Sequence, residues 1–242
     1  MVPRLRALSL LAGAQPRNFQ GVCLAILSSI LLIAVSAMGK LMAEDMHPFE
    51  IGFLRAVLLI GLSLPWFLRV GFRRIDSSRP WLQMINGLIF SSANTLWFWA
   101  LPSEPLDMVA AVGLTSQLFA ILGAILFLGE KPRAWRWAAL AVGLVGCLII
   151  LRPGFIEMTS GIMMLLAVAL LSAGSRLLGK HILTQDYPET LVFWQAIWGA
   201  VLTFPLALMV WRDPSPEQWL WLFALAFVSI CNQFTLAWAL RL

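Results

Sequence analysis

Charge is scarce in this sequence. Asp, Glu, Lys and Arg make up 12% of its 242 residues, against about 25% in an ordinary soluble domain. Hydrophobic residues make up 60%. A chain of this length has no way to hide so much apolar surface from water behind so few charges, which excludes a soluble enzyme and a nucleic-acid binder. Cysteine is nearly missing as well. Cys23, Cys147 and Cys231 lie far apart inside apolar runs, so neither a disulfide framework nor a CxxC or Cys/His metal site is available. The two histidines, His47 and His181, fall in connecting segments and form no paired-ligand pattern. No cofactor motif is present, and no nucleophile–base constellation for an intramembrane enzyme lies at membrane depth.

What the chain does have is eight apolar stretches, at 21–39, 49–68, 81–101, 106–128, 134–151, 161–180, 189–211 and 218–240. Each approaches the roughly 20 residues that a bilayer-crossing helix needs. They are continuously apolar rather than alternating, which predicts helices and not barrel strands. The separators, among them His47-Pro48, Pro102-Ser103-Glu104-Pro105, Lys131-Pro132, Pro153-Gly154, Asp186-Tyr187-Pro188 and Asp213-Pro214, carry turn chemistry. Connections this short make neighbouring helices antiparallel and leave no room for a soluble domain. The expected fold class is an all-α integral membrane protein, a polytopic helical bundle with about eight spans.

Charge gives that bundle a direction. Alternate connections collect Arg4, Arg6 and Arg17, then Arg69, Arg73, Arg74 and Arg79, then Lys131, Arg133 and Arg136, then Lys180, with Arg241 on the same side. The other side has Lys40, Arg152 and Arg212 among Glu44, Asp45, Glu50, Glu104, Asp107, Glu157, Asp213 and Glu217. Basic short loops mark the cytoplasmic face, which predicts a multi-pass plasma-membrane (bacterial inner-membrane) protein with its N-terminus inside. Residues 1–20 are expected to be an unstructured cytoplasmic tail: their apolar run is short for a signal peptide, and Arg17 follows at once.

The sequence repeats itself at an offset of 140. Gly21, Gly39, Lys40, Pro48, Phe53, Ala56, Pro65, Trp81, Leu82, Thr95 and Leu96 recur as Gly161, Gly179, Lys180, Pro188, Phe193, Ala196, Pro205, Trp221, Leu222, Thr235 and Leu236. The unit runs from 21 to 154 and encloses five spans, so its second copy, starting at 161, enters the membrane from the opposite side. Such inverted five-helix repeats belong to carriers whose halves rock around a central site. The copy from 161 to 242 holds three spans, and two helices of a full second repeat are expected to be missing.

Leu128-Gly129-Glu130-Lys131 after the fourth span, then Trp137 and Gly143-Leu144-Val145-Gly146, resemble the EamA domain of the drug/metabolite transporter superfamily. So do Lys40 closing the first span and Arg55 early in the second. The resemblance covers about residues 20–240. It implies a secondary transporter of ten helices with a central cavity and both termini cytoplasmic. The family often has a proline midway along the fourth helix, where this chain has Leu118-Phe119-Ala120.

Polar groups inside spans are costly and usually face the bundle interior. In the third span Gln83, Asn86, Asn94 and Trp97 fall within about 80° of one another at the helical period. Ser229, Asn232 and Thr235 form a narrower stripe in the corresponding span of the second repeat. Arg55 sits about two turns inside its span, where snorkelling to the outer headgroups explains it as well as a binding role does. Arg176 is close enough to the inner surface to snorkel. Gln117 is the inward-pointing member of Thr115-Ser116-Gln117. The candidate substrate-binding set is therefore Arg55, Gln83, Asn86, Asn94, Trp97, Gln117, Asn232 and Thr235. Many tryptophans stand at span ends, as an interfacial belt requires; Trp97, Trp99, Trp194, Trp198 and Trp238 do not. Ala139, Gly143 and Cys147 offer a small-residue face to a neighbouring helix.

The function expected is transmembrane transport of small organic metabolites or drugs by alternating access, without covalent chemistry, cofactor or metal. The alternative is a truncated, non-transporting membrane subunit that only associates with other membrane proteins. The partners expected are a small solute and the lipid bilayer. Oligomeric state, a homodimer included, is left open by the sequence, as are substrate, coupling ion and direction.

Overall fold

The structure is a computed structural model that describes residues 3–71, 75–128, 134–151 and 159–241; side chains are described from Gln20 onward, apart from Val70 and some within α4 and α5. Within the described residues the chain forms eight helices and no strand: α1 (Pro3–Met42), α2 (Pro48–Val70), α3 (Pro80–Ala100), α4 (Leu106–Leu128), α5 (Ala134–Leu151), α6 (Ser160–Ile182), α7 (Pro188–Val210) and α8 (Pro216–Arg241). Five of the described helices, those at Gln20–Met42, Pro48–Arg69, Ser160–Ile182, Pro188–Val210 and Pro216–Arg241, are long and apolar enough to cross a membrane.

Local chemistry sets where the helices begin. His47 caps α2 by accepting from the Phe49 backbone N–H at 3.3 Å, while Glu50 reaches back to the His47 N–H at 3.3 Å. This reciprocal arrangement satisfies two donors that a helix start otherwise leaves open. Proline follows immediately as the first helical residue of α2 and again of α7, where its missing N–H costs nothing. Thr159 caps α6 by accepting from the Ile162 N–H at 3.2 Å.

Residues 3–20 depart from the expected unstructured tail. They are helical and continuous with α1. The stretch is rich in Ala, Leu and Arg, and extending an existing helix avoids the cost of nucleating one. The fourth helix, without the family's proline, runs unbroken from Leu106 to Leu128. Gly129, Glu130 and Lys131 of the Leu-Gly-Glu block, Pro153-Gly154, Arg73, Arg74, Arg133, Arg152 and Glu157 lie outside the described residues, as do the side chains of Arg4, Arg6, Arg17, Trp135, Arg136, Ala139 and Cys147.

Helix packing is not sequential. α1 lies along α8, α3 along α6 and α7, α2 along α7, and α4 against α6 and α5. Where α3 meets α7 the backbones approach closely: a Cβ on Gly87 would stand 2.8 Å from Cβ and Cδ1 of Trp198, and one on Gly199 would stand 3.3 Å from Ser91 Oγ. Small residues at such crossings let van der Waals packing replace a hydrophobic drive that lipid does not supply. Large apolar side chains such as Ile33, Leu68, Val142, Leu220 and Phe227 remain exposed and form the surface that a bilayer covers.

The two ends of the bundle are tied differently. At the α1–α2 end, thirteen buried apolar residues, among them Met42, Met46, Ile51, Leu54, Phe98, Leu101, Val109, Leu165, Leu222 and Leu225, form one continuous core. Around it Lys40 Nζ donates to the Glu104 carbonyl at 2.6 Å, Thr159 donates to the Glu104 carboxylate, and the Arg212 backbone N–H donates to Glu50. At the α2–α3 end, Asp186 gathers the connections: it accepts from the Ser77 hydroxyl, from the Ser78 N–H at 3.0 Å and from Gln83 Nε2 at 2.9 Å.

Burial alone raises the Asp186 carboxyl, but the bonds from Ser77, Ser78 and Gln83 together outweigh it and hold the group below its ordinary value. A carboxylate with a depressed folded-state value adds stability that is present above its unfolded value, about pH 4, and is lost as the pH falls through the folded one. The purified chain is therefore expected to lose melting temperature on acidification below about pH 4. Asp186→Asn is expected to melt lower at neutral pH and to lose part of that acid dependence. An unchanged neutral melting temperature in the variant refutes the tie.

Candidate functional site

A cavity of about 580 Å³ opens among α1, α3, α4, α6 and α8. That volume lies within the range of about 300–1,000 Å³ typical of small-molecule sites. It begins beneath the apolar core at Arg55, Trp97 and Phe98, and extends toward the α2–α3 end, where Gly21, Lys180 and Leu240 line it. One end is thus closed by buried side chains while the cavity reaches the other.

Arg55 occupies the closed end. It is 6% exposed and lies on α2, whose amphipathic turn brings the guanidinium over the Phe98 ring, with Cζ 5.0 Å from the centroid. Its Nη2 donates to Asn94 Oδ1 at 2.9 Å, and Asn94 in turn donates to the Phe90 carbonyl at 3.0 Å. Arg55 Nε has no partner, and neither do Ser229 Oγ and Gln233 Oε1, all three buried. Buried polar groups are ordinarily satisfied, so three orphans lining one cavity mark the place where a polar ligand atom, or water, belongs. A recess of about 20 Å³ beside the cavity, lined by Arg55, Asn94, Gln195, Thr203 and Gln233, has room for about one water molecule.

The structure divides the eight expected residues. Arg55, Asn94, Trp97, Gln117 and Asn232 line the cavity; Asn232 also accepts from the Ser28 hydroxyl at 2.7 Å, linking α8 to α1. Gln83, Asn86 and Thr235 do not line it. Gln83 is fully buried against Asp186. Asn86, equally buried, donates to the Ser175 carbonyl on α6 at 2.7 Å and accepts from Gln195 Nε2 on α7 at 2.8 Å, joining three helices. Thr235 bonds back to the Cys231 carbonyl at 2.7 Å. The stripe on α3 is one face, but Gln83 and Asn94 stand eleven positions apart, about 16 Å along the axis, and what that face meets changes from packed helix to open cavity.

Arg176, expected to snorkel, lines the cavity together with Lys180, Gln195, Ser229 and Gln233. For Gln233 a signal was available: it stands four residues after Ser229 and so shares its helix face. The lining combines amides, hydroxyls and cations with the rings of Phe90, Trp97 and Phe98. Among the described residues the lining holds no nucleophile–base pair, and no cluster of potential metal ligands occurs.

The model of the family described as EamA-like transporter family matches residues 19–152 and 159–242. An S-adenosylmethionine uptake transporter of Rickettsia prowazekii (strain Madrid E) is 26% identical over 205 residues, covering 85% of this chain and 70% of the relative. A riboflavin transporter of Rhizobium johnstonii is 32% identical over 180 residues, 73% of this chain and 60% of that one. The pseudopaline exporter CntI of Pseudomonas aeruginosa is 27% identical over 221 residues, 88% of this chain and 75% of that one. Among solved structures, a crystal structure superposes with a TM-score of 0.71 at 18% sequence identity, over 94% of this chain and 79% of its own; that likeness concerns the fold alone.

Proposed function

Because the chain belongs to the EamA-like transporter family, and is thus a multi-pass membrane protein that transports small molecules, we propose that it works by alternating access around the Arg55 cavity. The observation that carries this reading is the asymmetry of the cavity, sealed by apolar side chains at the α1–α2 end and extending to the opposite one. A small organic metabolite enters there, meets Arg55, Asn94, Trp97, Gln117 and Asn232, and leaves when the seal transfers to the other end. Gln83 and Asn86 hold the helices that frame the site.

In this reading all eight helices span the bilayer, and the motion is a rocking of two inverted repeats, 21–154 and 161–242, after a cytoplasmic segment at 1–20. Support comes from local structure. The turn after α1 closes with bonds from Ala43 to Gly39 and from Met46 to Met42; the turn after α6 repeats them 140 positions later, from Leu183 to Gly179 and from Asp186 to Ile182. Pro65 and Pro205 sit at matching points inside α2 and α7. The packing pairs also exchange: α1 with α8 answers α6 with α3, while α2 meets its own counterpart α7. The basic connections favour an N-terminus in the cytoplasm, with the inner membrane of a bacterium as the proposed site of action. The relatives' names, uptake of S-adenosylmethionine, riboflavin transport and pseudopaline export, give the class of solute rather than one compound. A homodimer in the bilayer is compatible with the exposed apolar faces.

Vesicles reconstituted with the purified chain test the proposal. Flux of at least one solute from a panel of amino acids, nucleosides, flavins and organic acids, saturable and absent from empty vesicles, is expected. No flux of any member favours the reading as a non-transporting membrane subunit.

A further inference from the structure

Resting on that reading of the cavity, we infer that the solute carries an anionic group, a carboxylate or a phosphate monoester, on a flat apolar body, and that Arg55 is its anchor. Three cations line the cavity: Arg55 at its closed end, and Arg176 and Lys180 toward the open one. Among the described lining residues there is no Asp or Glu to balance Arg55. The partner of Arg55 that the structure does provide, Asn94, is neutral and satisfies one nitrogen of the guanidinium, and Nε is left without any.

A buried guanidinium without a counter-ion is expensive in a membrane interior and is kept where function needs it. An arginine presents adjacent N–H donors in a planar fork that matches two oxygens of a carboxylate or phosphate. The Ser229 hydroxyl, also unpartnered, adds a donor, and the Gln233 amide supplies another when it turns its N–H₂ inward. Phe98 lies under the guanidinium and Trp97 beside it on the cavity wall, so the body attached to the anion meets aromatic faces. The closed end of the cavity, at Arg55 and Ser229, takes the charged head, and Arg176 toward the mouth raises the local concentration of anions before they reach it.

The test is binding by the purified full chain in detergent, read as the concentration-dependent shift in melting temperature. The probes are benzoate, phenyl phosphate, benzamide, benzylamine and inorganic phosphate. Benzoate or phenyl phosphate, or both, are expected to bind, the stronger of them identifying the head group, and benzamide, benzylamine and inorganic phosphate to fall well behind. Arg55→Gln is expected to weaken the bound anion by about tenfold or more, the usual scale for losing a charge-assisted bond. Arg55→Lys, which keeps the charge but not the fork, is expected to fall between, and serves where the glutamine variant does not fold. Arg69→Gln, an exposed cation outside the cavity, is expected to bind as the unaltered chain does.

Binding of benzamide or benzylamine as tight as that of the anions overturns the proposal. So does binding of inorganic phosphate as strong as that of phenyl phosphate, the absence of binding by both aromatic anions, or unchanged anion affinity in both Arg55 variants. The assay needs no transport. Anion binding without flux counts against the carrier reading and leaves this inference standing, while flux of a neutral or cationic solute without anion binding does the reverse.

Discussion

Replacing Asn94 with leucine is expected to reduce solute flux through reconstituted vesicles by about tenfold or more while the protein still inserts and remains monodisperse. Asn94 is the side chain that fixes the Arg55 guanidinium, through the 2.9 Å bond to Nη2, and it is itself held by the Phe90 carbonyl at 3.0 Å. Leucine matches its size but accepts nothing, so a second guanidinium nitrogen loses its partner beside the already unpaired Nε. Leaving a buried donor unsatisfied costs about 1–3 kcal/mol, more when the group is charged. The arginine therefore turns away from its present position and the fork is no longer aimed at the cavity. Asn94→Asp separates geometry from charge. The carboxylate keeps the bond and holds Arg55 more firmly, yet it neutralises the site; stability is expected to stay or rise while flux falls. Unchanged flux in Asn94→Leu removes this pair from the transport path.

The second large effect concerns the scaffold. Gly87→Val is expected to lower the melting temperature sharply, because a side chain there meets Trp198 with nowhere to go: even the first carbon would stand 2.8 Å from two atoms of that residue. Forcing extra atoms into a packed contact costs typically about 1–3 kcal/mol. α3 also carries Asn86 and Asn94, so parting it from α7 strains the Asn86–Gln195 bond and moves the cavity wall. The contact can be isolated with paired variants. Gly87→Val in a Trp198→Ala background is expected to cost less than the same change in the unaltered chain, the coupling typical of residues in direct contact. Equal cost in both backgrounds places the strain elsewhere.

The eight helices were legible in the sequence because lipid imposes a simple rule: a span is apolar from end to end, and Pro, Gly and Asp interrupt it. The expected stretches fall within the observed helices to a few residues. The N-terminal segment was misread because weak amphipathic runs carry no signal that separates a tail from a continued helix. Site residues were legible in part, for a physical reason that α3 illustrates. Helical periodicity says that Gln83, Asn86, Asn94 and Trp97 share a face; it says nothing about which neighbour that face meets at each depth. That depends on the crossing of α3 with α6 and α7, which the glycine at 87 permits. Arg176 shows the same limit from the other side. Its distance from a helix end fits snorkelling, and only the arrangement of α6 against α3, α4 and α8 puts it on a cavity wall.

The proposed mechanism requires two halves of opposite orientation, so that one cavity faces each side in turn, and positions 140 apart report on that orientation directly. Asp45 and Gln185 are such a pair, both exposed in the turns that follow α1 and α6. Single cysteines introduced at each, in a chain freed of its native cysteines, are to be labelled in intact cells with a membrane-impermeant maleimide. The account predicts that Asp45→Cys is labelled from outside and Gln185→Cys only after the membrane is opened. Labelling of both from the same side contradicts it.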